Sequence, residues 1–340
     1  MLDSLVFATN ATLPIVLIVA IGYVLKRIGF ITKEFAKMAN KIVFRILLPV
    51  MLFINVYGIT DPGSIDLDYA FYTAIATVLT FLLGIPAAIM LSAKRERRAA
   101  LLQSFFRSNY AIIGIPLAES LFGSDGALVA TLLSAIMIPI FNTLAVIALS
   151  IFAKPEEGEE GADRATRVKE RIKKVLLGII KNPLILSIFA GFIALGIRAL
   201  FTHLGIGFRL NQLTPIWSTM KSLSSLATPL ALLALGGQFE FSLISEAKRE
   251  IISGTLVRVL ILPVIALSIA VLFFRESFSG AEYAALIAVF CTPVAVSSVP
   301  MAQELGADAE LAGQLVIFTT IFSSFTIFIA SFIFKAIGIF

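Results

Sequence analysis

Two short stretches hold the residues whose types and spacing point to chemistry. The first reads RSNYAIIGIP and contains Arg107, Asn109, Gly114 and Pro116. The second reads TPVAVSSVP and contains Pro293, Ser297, Ser298 and Pro300. Each lies within a long apolar run. Proline removes a backbone donor and clashes with the preceding turn, and glycine lowers the cost of irregular backbone, so both runs are expected to be broken helices. A proline also suits a first helical turn, so Pro116 and Pro300 are expected to open second half-helices. The N-terminus of such a half-helix offers free N–H groups and partial positive charge, which favours an anion such as a carboxylate. Asn109 can donate and accept there. Arg107 has two readings: a fork for a carboxylate, or a structural residue that bonds broken-helix carbonyls or sits at an interface. The hydroxyls of Ser297, Ser298, Thr319 and Ser323 offer oxygens to a sodium ion, and equally satisfy helix backbone. Asn55 and Asn142 are polar within apolar spans, as pocket lining or as interhelical glue. Arg258 is expected to pair structurally, and Lys221 to snorkel to an interface. Glu119, Glu240 and Glu304 fall toward span ends, so no buried carboxylate relay for protons is evident.

Unpaired backbone in hydrocarbon costs several kcal/mol per group, so such breaks survive only against protein or a wet cavity. The rest of the chain must therefore form a membrane bundle around them. Of the 340 residues, 59% are apolar and 14% are Asp, Glu, Lys or Arg. The mean hydropathy is +0.98. A soluble fold could not hide so many apolar side chains. These values exclude a soluble globular domain, a disordered chain and a nucleic-acid binder; the lipid bilayer is the expected surrounding. Cys291 is the single cysteine and His203 the single histidine, so an internal disulfide and a multi-histidine metal site are excluded. No cofactor is implied.

A bilayer crossing needs about 20 mostly apolar residues. Ten segments qualify: 5–27, 38–57, 69–92, 100–122, 127–152, 176–200, 216–238, 250–274, 282–304 and 311–337. The expected fold is an all-α integral membrane protein with ten transmembrane helices, those at 100–122 and 282–304 being broken. With this count, 20 of the 27 Lys and Arg fall in loops on one side and four on the other. The positive-inside rule then places both termini outside the cytoplasm and the polar 154–175 loop within it. That loop opens acidic (KPEEGEEGAD) and turns basic (RATRVKERIKK), as a linker followed by an ordinary positive loop or a short surface helix.

The polar loop sits midway, and the halves on either side match. LPIVLIVAIGYVLKRIG from Pro14 aligns with NPLILSIFAGFIALGIR from Pro183, so that Gly22 meets Gly191. LLPVMLF (Pro49) pairs with ATPLALL (Pro229), and GIPLAESLFG (Pro116) with SVPMAQELG (Pro300). Five spans per half is an odd number, so the repeats 1–153 and 176–340 are expected to be inverted. Inverted repeats with broken helices mark secondary transporters, with the substrate near the midplane. No HExxH, GxSxG, P-loop or catalytic carboxylate pair is apparent, so an enzyme is not expected. A non-transporting receptor or sensor, or a channel on the same fold, is the alternative.

At these motifs the sequence resembles the auxin efflux carrier family, which includes the plant PIN-FORMED proteins and bacterial transporters. The resemblance extends over nearly the whole chain, through LPIVLIVAIGYVLKRIG, LLPVMLF, RSNYAIIGIPLAESLFG, KNPLILSIFAG, ATPLALLALGGQFE and TPVAVSSVPMAQELGADAELAGQLVIFTTIFSS. It implies a five-plus-five inverted repeat related to bile-acid symporters. Spans 1, 2, 6 and 7 would form a scaffold, commonly in a homodimer, and spans 3–5 and 8–10 a moving transport domain. The broken helices would cross at their prolines with a small organic anion beside the crossing, in an elevator-type cycle at the cell (inner) membrane. Asn109 matches the family's asparagine before Gly-x-Pro, and Pro116 and Pro300 match its crossover prolines. The 154–175 loop is far shorter than that of many plant members, and the resemblance leaves substrate, direction and coupling ion, proton or sodium, open.

Overall fold

The computed structural model describes residues 2–59, 67–152, 181–239 and 245–339. The 154–175 loop and Glu240 lie outside the described residues. Those described are helical, with no strand and one isolated β-bridge. In chain order the helices are α1 (Leu2–Arg27), α2 (Lys33–Tyr57), α3 (Leu67–Leu91), α4 (Arg95–Phe106), α5 (Tyr110–Ile151), α6 (Pro183–His203), α7 (Thr214–Gln238), α8 (Lys248–Phe274), α9 (Gly280–Phe290), α10 (Ser298–Glu304) and α11 (Ala309–Ala336).

Six of these, α2, α3, α5, α6, α8 and α11, are each long and apolar enough to cross a membrane. Their outer faces are lined by exposed Leu83, Met90, Phe189, Leu272 and Phe273, as lipid contact requires. α1 and α7 equal them in length, at 26 and 25 residues. In α7, Lys221 and a run of Ser and Thr dilute the apolar character. The segment expected at 100–122 is divided by an interruption at residues 107–109. Its second part runs into the segment expected at 127–152, and only a kink at Phe122 and Gly123 separates them; Gly123 takes φ +62°, a conformation open to glycine. The segment expected at 282–304 is likewise divided, into α9 and α10.

Three π turns interrupt the helices, at Val43–Leu47, Tyr110–Gly114 and Val257–Ile261. Each is followed two residues later by a proline: Pro49, Pro116 and Pro263. A proline ring strikes the carbonyl one turn earlier, and the wider π turn relieves that clash without breaking the helix.

Packing follows small residues. α1 lies against α7, where Gly22 and Gly236 bring the backbones together; a Cβ on either would overlap the partner helix. α6 lies against α2 in the same way, with Gly191 seated on Val56 and the Phe53 carbonyl. α3 packs on α4, α5 on α9, and α11 on α8, α4 and α1. α9 is enclosed on all sides: every residue from Ala281 to Phe290 is buried. It is therefore the apolar centre of this half of the molecule rather than a lipid-facing helix.

Candidate functional site: two chain breaks that meet

The interruptions at 107–109 and 291–297 satisfy each other's backbone. Ser108 and Val294 form an antiparallel bridge. The Asn109 N–H donates to the Pro293 carbonyl at 2.8 Å, and the Ala295 N–H to the Arg107 carbonyl at 3.4 Å. Pro293 has no N–H of its own, so it can only accept. The hydroxyls of Ser108 and Thr292 lie 2.6 Å apart, and Thr319 from α11 accepts the Val294 N–H at 3.1 Å. The breaks thus satisfy each other where water is excluded.

Two buried arginines hold this junction. Arg258, fully buried in the π turn of α8, donates to the carbonyls of Val289 and Thr292 at 2.8 Å and of Phe106 at 3.5 Å. The Val289 and Phe106 carbonyls belong to the C-terminal ends of α9 and α4, where partial negative charge accumulates, and Thr292 lies just past α9. Arg107 faces the other way. Its terminal nitrogens donate to Gln103 Oε1 at 3.0 Å, Ser298 Oγ at 3.2 Å, Asn142 Oδ1 at 2.9 Å and Ser297 Oγ at 2.8 Å. The four N–H groups of its two terminal nitrogens are therefore engaged by side chains of the protein.

A cavity of about 50 Å³ opens beside the junction. It is lined by both breaks, by α2 (including Asn55), by α5 (including Asn142) and by Ala227, Thr228 and Ala231 of α7. Asn109 is among its lining residues, 4% exposed, and its buried Nδ2 has no hydrogen-bond partner among the described residues. A buried, unspent amide donor costs free energy unless something accepts from it. The first turn of α5, Tyr110 to Ile112, lines the same cavity, and intrahelical bonding begins at the Ile113 N–H, which donates to the Asn109 carbonyl. The first turn of α5, Asn109 and Arg107 thus line one small space.

The residues singled out in the sequence are distributed as follows. Arg107, Asn109, Asn55, Asn142 and Ser297 line the cavity. Ser298 meets it only through Arg107. Pro293 supplies the carbonyl that fixes Asn109. Gly114 lies behind the cavity, where a Cβ would strike the Tyr110 ring and the Ala288 carbonyl. Pro116 lies in the turn after the π turn, so α5 opens earlier, at Tyr110, than its proline suggested. Pro300 is the third residue of α10 rather than its first. Thr319 and Ser323 donate to helix carbonyls of Leu315 and Thr320. Gln103, Ser108, Thr292 and Thr228 were not singled out. Gln103 stands four residues before Arg107, one helical turn away, and that spacing carried the signal.

A family model described as a membrane transport protein matches residues 7–331. The chain belongs to this membrane transport protein family. The auxin efflux carrier resemblance of its motifs agrees with that membership. A relative from Methanothermobacter thermautotrophicus, described as an uncharacterized transporter, is 24% identical over 327 residues, 93% of this chain and 95% of its own. Another uncharacterized transporter, from Methanocaldococcus jannaschii, is 23% identical over 319 residues, 92% of this chain and 94% of its own. As a member of the membrane transport protein family with several apolar spans, the chain is a multi-pass membrane protein.

Proposed function

We propose that this transporter is a secondary carrier that moves a small organic anion, such as a carboxylate or an auxin-like acid, by elevator-type alternating access. One observation carries the reading: Asn109, whose buried Nδ2 is unspent, the opening turn of α5 and the charged Arg107 line one partly open cavity. Asn109 would donate to the anion directly. Arg107 would act by its charge, since its fork is engaged. The small size of the cavity favours a small carboxylate over an aromatic one.

The architecture proposed with it has ten crossings in two inverted repeats, 1–153 and 176–340. α1, α2, α6 and α7 form the scaffold, and the remaining helices the moving domain. The packing of α1 on α7 and of α6 on α2 supports this, because the repeat-related Gly22 and Gly191 stand at these two crossings. The cavity lies between the two groups of helices, where alternating access requires a site. The charge bias of the loops supports termini outside the cytoplasm in the cell membrane. A homodimer through the scaffold is proposed on the family resemblance alone.

The experiment is counterflow in proteoliposomes loaded with unlabelled malonate, malate or indole-3-acetate, with the labelled compound outside. Saturable, substrate-dependent accumulation is expected for a small dicarboxylate. Anion-induced thermal stabilisation without counterflow of that anion would favour a sensor instead.

A further inference from the structure

Arg107 carries a full charge into the junction, and its surroundings are unusual. The residue is 2% exposed. Its fork donates to four oxygens, from the amides of Gln103 and Asn142 and the hydroxyls of Ser297 and Ser298. Among the described residues no carboxylate forms an ion pair with it, in contrast to Arg45 and Arg97. Arginine buried in a membrane bundle ordinarily pairs with an acid or with backbone carbonyls, as Arg258 does. Here neutral side-chain oxygens converge instead, from α4, from α5 and from the second break. Several neutral oxygens gathered around one cationic group are the kind of ligand set that hard cations take. In secondary carriers the coupling ion is held at such broken-helix junctions.

The geometry points to Arg107 as a tethered cation that fills the place of a coupling sodium, so that this carrier moves its anion without sodium. Both serine hydroxyls at the second break accept from the guanidinium. Of the other two hydroxyls that could serve sodium, Thr319 donates within its own helix and accepts the Val294 N–H, and Ser323 donates within its own helix. Among the described residues the four oxygens around Arg107 are already engaged by it, and a second cation there would meet its charge at close range. The charge that remains is balanced by the anion arriving at Asn109. The statement about transport rests on the organic-anion reading; the statement about the cage does not.

The test compares thermal melting of the purified full chain in sodium chloride and in N-methyl-D-glucamine chloride, at equal pH and ionic strength, without organic anion. The wild-type midpoint is expected to be the same in both salts, within about 1 °C. Arg107→Ala vacates the four oxygens and should gain a saturable, sodium-specific upshift of about 3 °C or more. A saturable sodium upshift in the wild type overturns the inference. So does a cooperatively melting Arg107→Ala protein with no sodium response. If the alanine variant does not fold, Arg107→Met, which keeps the apolar stem, takes its place, and the wild-type comparison remains decisive by itself. Failure of organic-anion counterflow would sink the transport reading and leave these melting results standing; a wild-type sodium response would do the reverse.

Discussion

The backbone N–H of Asn109 donates to the carbonyl of Pro293, 184 positions away, at 2.8 Å. This bond joins the two interruptions through the backbone and does not use the Asn109 side chain. Since the Nδ2 has no partner among the described residues, removing it breaks no protein hydrogen bond. Asn109→Ala should lower anion counterflow by about tenfold or more, the worth of one hydrogen bond to a charged ligand. Its melting midpoint should stay within about 2 °C of the wild type. A parallel loss of stability would assign Asn109 to the frame rather than to the substrate.

Arg258 should behave in the opposite sense. It satisfies carbonyls at the ends of both α4 and α9. Arg258→Met leaves them buried and unpaired, at about 1–3 kcal/mol each. A fall in melting midpoint of at least about 5 °C is expected. Arg258→Lys keeps the charge but loses the planar fork, and should fall between.

The α1–α7 crossing depends on bare backbone. Gly236→Ala places a Cβ against the Val19 carbonyl and should cost about 1–3 kcal/mol or more. Gly196→Ala on the exposed face of α6 meets nothing within 4 Å and should be neutral, or stabilising by up to about 1 kcal/mol. Melting of both variants, measured in the same detergent, checks the contrast.

An amide cluster ties α10 to the helices across the cavity. Asn40 Nδ2 donates to Gln303 Oε1 at 2.9 Å, Gln238 Nε2 to the same oxygen at 2.9 Å, and Gln303 Nε2 to the Lys37 carbonyl at 3.0 Å. Gln303→Leu should destabilise by about 1–3 kcal/mol, because buried Asn40 loses its main acceptor. The neighbouring Arg45–Glu304 pair has an Arg45 side chain that is 61% exposed. Arg45→Ala should therefore change stability by less than about 0.5 kcal/mol. Thermal melts that rank these two variants the other way would contradict the burial argument.

Cys291 sits in the second break with no exposed surface. A membrane-permeant maleimide should leave it unlabelled in the folded protein and label it fully after denaturation. Labelling of native protein at a rate comparable to denatured protein would mean that the junction opens readily.

The placement of the breaks was legible because it is local chemistry. Proline lacks a donor and glycine lacks a Cβ wherever they stand, so RSNYAIIGIP and TPVAVSSVP announced irregular backbone. Asn109 and Arg107 were legible as polar groups inside apolar runs. The π turns were not, since the sequence shows the proline but not whether the helix will kink, end or widen before it. That choice depends on neighbours: the widened turn of α8 is where Arg258 reaches the ends of α4 and α9. For the same reason Pro116 and Pro300 marked the right neighbourhoods but not the first residues of α5 and α10.

The membrane setting, the helical class and the position of the irregular backbone were thus determined by the sequence itself, through composition, run length and the covalent geometry of proline and glycine. Only the tertiary structure decided that the two breaks touch. It also decided that the Arg107 fork is spent on Gln103, Asn142, Ser297 and Ser298, and that the Asn109 amide is left with a donor to offer. Those outcomes depend on which side chains meet across up to 191 positions, and partner choice at that range is set by packing of whole helices, not by any residue's own preference.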